Sequence, residues 1–69
     1  MRLQGAIIPA AAVLRGDRLL VAEGVYLEVR GVLATTVFGR GVTILVLEGG
    51  GRRSYPDMSR VIVEREWPD

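Results

Sequence analysis

Residues 24–48 read GVYLEVRGVLATTVFGRGVTILVLE, and the folding of this stretch decides the rest of the chain. Val25, Leu27 and Val29 alternate with Tyr26, Glu28 and Arg30. A period of two marks a half-buried strand, and Val and Tyr suit the pleated backbone. Gly31 interrupts the alternation; a glycine inside a strand marks a bulge or a bend. Val32, Leu33 and Ala34 follow without alternation, so the strand is expected to change face there and to continue through residues 35–38. Gly39-Arg40-Gly41 supplies the turn, because glycine reaches the positive φ of tight hairpins. Residues 42–47 form the return strand. Val42, Ile44 and Val46 share one face; Thr43, Leu45 and Leu47 share the other. Both faces are largely apolar. Such a strand is either central in a closed barrel or covered by a partner subunit.

The length bounds what can cover it. A chain of 69 residues is one domain, 1–69. It buries only about 60% of its unfolded surface. Natural scaffolds of this size add disulfides, a metal or oligomerisation. The chain has no Cys and no His, which excludes disulfides and removes the usual zinc ligands. Oligomerisation remains. With 49% hydrophobic residues, the chain is expected to bury apolar surface between copies of itself. The net charge of +1 argues against polyanion binding driven by bulk charge. Every basic residue is Arg, and Lys and Asn are absent, a bias compatible with a GC-rich genome and a thermophilic source.

Arg2, the apolar run of residues 6–14 and Ala10-x-Ala12 resemble a short secretory signal. Gln4, Gly5 and Pro9 interrupt that run, and Arg15, Asp17 and Arg18 follow at once. The segment is read as part of the fold, and the protein as cytoplasmic. No stretch approaches the roughly 20 apolar residues of a membrane helix.

In chain order, residues 1–8 form a first strand with Leu3, Gly5 and Ile7 on one face. Pro9 ends it or sits at an edge, and one helical turn can follow it over residues 10–14. Arg15-Gly16-Asp17 is a turn. Residues 18–22 are a short strand, and Glu23-Gly24 links it to the hairpin. Gly49-Gly50-Gly51 is a flexible turn, residues 52–55 a short strand, and residues 55–59 a turn that Asp57 can cap. Residues 60–66 form the last strand, with Val61 and Val63 on one side and Arg60, Ile62, Glu64 and Glu66 on the other. Trp67 is expected to fold back over the barrel end or an apolar edge. Short strands, glycine turns and no long helix make an all-β fold, and closure into a small barrel removes sheet edges. The order of elements, with Gly16-Asp17-Arg18-Leu19-Leu20-Val21 followed by Tyr26-Leu27-Glu28-Val29, resembles the small SH3-like barrels at the level of the superfold. That resemblance implies five to six short antiparallel strands and one short helical turn. It does not choose a function, since such barrels bind nucleic acids, bind peptides or build assemblies.

No catalytic set stands out. Ser54 and Ser59 lack a His, Cys or Lys to activate them. Glu64 and Glu66 share a strand face and read as solvated beside Arg60 or Arg65. Gly49-Gly50-Gly51-Arg52-Arg53-Ser54 lacks the Gly-Lys-Ser/Thr ending and the following helix of a phosphate loop. No catalytic residue, cofactor or metal is therefore assigned. Two binding readings remain. The two-faced strand, through Val42, Ile44, Leu45 and Leu47, offers a self-association surface for a homo-oligomer and a non-enzymatic assembly role. Alternatively, Phe38, Arg40, Arg52, Arg53 and Tyr55 supply the cations and aromatic faces of single-stranded nucleic-acid binding, with Arg40 at the hairpin tip and Arg52 and Arg53 at the opposite end of the return strand.

Overall fold

A computed structural model describes the backbone of residues 2–67 and the side chains of residues 3–66. The chain forms β1 (Arg2–Pro9), β2 (Arg18–Ala22), β3 (Val25–Val37), β4 (Arg40–Leu47), β5 (Arg52–Pro56) and β6 (Arg60–Trp67). Short 3-10 turns lie at Ala10–Ala12 and Glu48–Gly50. All ladders are antiparallel, in the order β1-β6-β2-β3-β4-β5. The fold is therefore all-β, as its alternation and glycine turns predict.

The expected full closure is not realised, because among the described residues no ladder joins β1 to β5. The chain segment after Pro9 fills that place instead. The Ala10 N–H donates to Ser59 O at 2.7 Å and the Ala11 N–H to Asp57 O at 3.0 Å. These bonds satisfy backbone donors of the first turn and tie it to the β5–β6 connection. Pro9 stands before the turn in extended conformation (φ −62°, ψ 147°) rather than inside it. The second turn, expected to be merely flexible, is tight, with Gly49 at φ 85° and Gly50 at φ 89°.

β3 is the spine. It is 13 residues long, not short, and serves two halves of the sheet. Residues 25–28 pair with β2, and residues 29–37 pair with β4. The register slips between Val29 and Gly31, so the expected bulge is present and Arg30 is its extra residue. The slip switches the parity of the strand. Val29 points into the core before it, whereas Val32, opposite buried Leu45, shares the inward face after it.

The core is one cluster of Ala10, Val13, Leu19, Val29, Leu45, Leu47, Val61 and Val63. Leu19, Val61 and Val63 come from the first half of the sheet, Leu45 and Leu47 from the second. Ala10 and Val13 come from the crossing segment, so the 3-10 turn acts as a plug between the halves. The expected placement of Trp67 over the barrel end or an apolar edge, and the tail at residues 68–69, lie outside the described side chains.

Candidate functional interface

The β3–β4 hairpin turns one residue earlier than its glycines suggest. Val37 pairs with Arg40, leaving Phe38-Gly39 as a two-residue loop with φ 51° and 76°. Positive φ at both central positions fits the type I′ turn that matches the twist of adjacent strands. Phe38 is unusual in that conformation, and its side chain is fully exposed at the tip. Gly41 is then not a turn residue but a strand residue under close approach. A Cβ there would overlap the Asp57 carboxylate, which accepts a 2.8 Å bond from the Thr43 hydroxyl. Asp57 thus ties the β5–β6 turn to β4.

Register assigns the faces of the second half of the sheet. Directly opposed residues share a face in an antiparallel ladder. Leu33 opposes Ile44, Thr35 opposes Val42, and Val37 opposes Arg40. On the far side of β4, Pro56 opposes Val42, Ser54 opposes Ile44 and Arg52 opposes Val46. This outer face carries Leu33 and Val37, each about half exposed, beside half-buried Val42, Ile44 and Val46. Near the tip, Val37, Phe38, Arg40, Val42 and Pro56 line an open groove of about 550 Å³.

Four residues read as a self-association surface therefore divide. Val42 and Ile44 lie on the outer face. Leu45 and Leu47 are 0% and 4% exposed and belong to the chain's own core, which corrects their assignment to an interface. The physical reason is that Leu45 and Leu47 join one core cluster with Ala10 and Val13 of the crossing segment and Val61 and Val63 of β6.

The nucleic-acid set also divides. Phe38 and Arg40 are at the tip. Arg52 opposes Val46, six residues further along β4 and so about 20 Å away. Arg53, opposite Leu45, is on the other face of β5 from Arg52. Tyr55 is half-buried and packs on the core. The structure does not gather these five residues into one groove.

Sequence reading missed one feature entirely. Asp17 is 3% exposed, and both of its carboxylate oxygens are held by Arg65, at 2.7 and 2.8 Å. The Leu14 N–H also donates to Asp17 Oδ2 at 2.9 Å. Burial alone raises the Asp17 pKa, but the bonds from Arg65 and Leu14 and the guanidinium charge bring it below its ordinary value. Parity carried the signal: Arg65 continues the inward series Val61, Val63, where an arginine requires a buried acid. A hollow of about 360 Å³ lies over this pair, but its principal polar groups already bond one another. Glu64 lies 3.8 Å from Arg18 on the outer face. Among the described residues, no three metal-ligating side chains cluster.

Comparison of the chain with protein-family models, with curated proteins and with solved structures finds no match.

Proposed function

We propose that this protein is a non-enzymatic assembly module, a half-open SH3-like barrel that associates with copies of itself through the second half of its sheet. One observation carries the reading: the outer face of β3 and β4 presents Leu33, Val37, Val42, Ile44 and Val46 together, uncharged except for Arg40 and Arg52 at its two ends. Apolar faces of this kind, rimmed by charge, mark protein contact sites. A net charge of +1 lets identical copies approach without strong repulsion.

The test is Ile44→Glu. Size-exclusion chromatography with light scattering, read at 260 and 280 nm, is expected to give a wild-type mass above 7.5 kDa and a smaller mass for the variant, with circular dichroism unchanged. Equal masses for wild type and variant, or a 7.5 kDa species carrying excess 260 nm absorbance, contradict the reading.

A further inference from the structure

The far half of β3 has a second unsatisfied feature besides its apolar face, namely its edge. β2 pairs with β3 only as far as Glu28, and Asp17 and Gly16 bond to Val29. Beyond the bulge, residues 31–37 have β4 on one side and, among the described residues, no strand on the other. Val32 is 37% exposed and Leu33 50%, so neither face nor edge of this segment is covered.

Proteins blunt such edges with charges, proline or bulges. β5, the edge strand on the far side of β4, follows that rule with Arg52, Arg53 and Pro56. The segment VLATTV at residues 32–37 has none of these devices. An uncharged edge offers a charged partner no complementarity, whereas a copy of itself meets it with no like-charge cost.

The hydrogen-bond phase follows from the turn. A two-residue loop closes on a bonded pair, here Val37 and Arg40. Bonded and non-bonded pairs alternate, so Thr35 and Leu33 also bond toward β4. Gly41, on a non-bonded level, is accordingly free to accept from the Asp57 N–H on its other side at 3.1 Å. The amides and carbonyls of Val32, Ala34 and Thr36 therefore face the open edge.

We infer that a second copy pairs antiparallel on this edge, with the two-fold axis at Thr35. In that register Ala34 exchanges both bonds with the partner subunit's Thr36, and Thr36 with the partner's Ala34. Leu33 stands beside the partner's Val37, and Thr35 beside its own counterpart. Thr–Thr and apolar pairs are favourable directly across strands. Centring the axis on Ala34 would instead set Leu33 against threonine. The pairing joins the β3-β4-β5 halves of two copies edge to edge and makes the two outer faces continuous, and it brings Phe38 level with the partner subunit's Val32.

This inference rests on the self-association reading, and the experiment separates the two. The chain has no cysteine, so Thr35→Cys gives a single thiol at an exposed position. A non-bonded pair places its Cα atoms about 4.5 Å apart, within the about 4.4–6.8 Å that a disulfide spans. Gly51→Cys, where a Cβ meets open space, is the control. With copper phenanthroline, most T35C is expected to become a covalent dimer while G51C does not. Ala34→Pro removes an edge-facing donor without touching the β4 ladder. It should weaken association at least about tenfold, two bonds being lost per dimer, with the far-ultraviolet spectrum retained. A wild type heavier than 7.5 kDa whose T35C links no better than G51C overturns the edge geometry and leaves self-association standing. A monomeric wild type overturns both.

Discussion

Arg65 holds Asp17 across 48 positions of sequence, with Nε to Oδ1 at 2.8 Å and Nη2 to Oδ2 at 2.7 Å. The pair locks the last strand to the turn that launches β2. The same Asp17 carbonyl accepts the Val29 N–H at 2.7 Å, so one residue fixes both β6 and the start of the β3 bulge. Replacing Asp17 by Ala removes both fork bonds and the acceptor of the Leu14 N–H, while Arg65 keeps its 3.3 Å bond to Ala12 O. Breaking a fully buried pair costs about 3–5 kcal/mol, and the Arg65 side chain is 24% exposed. Urea denaturation of D17A should therefore show a clear loss that stays below that range. Arg65→Lys should recover only part of it, since an ammonium cannot fork onto two oxygens.

The same pair sets the acid limit. The Asp17 pKa in the folded chain lies below its ordinary 3.8. Its contribution is therefore fully present above about pH 4 and is lost as the pH falls through the folded value. Wild-type stability is expected to drop below pH 4, and the D17N curve to be flatter there. Thermal melts at stepped pH measure this; parallel curves for the two proteins contradict it.

β4 separates stability from association. Leu45 is fully buried, so Leu45→Ala should cost about 2–5 kcal/mol. Ile44, one position away on the other face, should change stability far less when replaced by Glu, and change mass instead. Chemical denaturation of both variants under monomeric conditions tests the contrast.

Gly41 and Asp57 form a coupled pair. Gly41→Ala drives a methyl into the Asp57 carboxylate and disturbs its bond to Thr43. Overpacking of this kind costs about 1–3 kcal/mol. In the double variant G41A/D57A the combined loss should be smaller than the sum of the single losses, because one side chain can no longer clash with the other.

Phe38 sits where Asn is the favoured residue. Phe38→Asn gives the Asn-Gly pair preferred in type I′ turns and relieves a bulky side chain at φ 51°. The variant is expected to melt a few degrees higher as a monomer. If Phe38 contacts a second copy, the same change weakens association.

Much of the fold was legible because β-strands write their faces into alternation. Val25, Leu27 and Val29 announced the first half of β3, and Gly31 announced the bulge. Val61 and Val63 announced the inward face of β6. What alternation does not carry is which of two apolar faces a strand buries. Val42, Ile44, Leu45 and Leu47 read alike until the crossing segment at Ala10–Ala12 is placed over one side. Closure was also not legible, because it depends on how far apart β1 and β5 end. The turn lies one residue earlier than Gly39-Arg40-Gly41 predicts, because the glycine at 41 makes room for Asp57 rather than for a turn. The separation of the candidate nucleic-acid residues is legible in the order of the turns, which puts Arg40 and the pair Arg52 and Arg53 at opposite ends of β4, and the register agrees, with Arg52 and Arg53 alternating across β5.

The central claim is that the uncovered half of the sheet meets a second copy. Sedimentation equilibrium of the unmodified protein over a wide concentration range tests it most directly. A mass rising with concentration from 7.5 kDa toward twice that value or more is the predicted result. A mass that stays at 7.5 kDa throughout contradicts it.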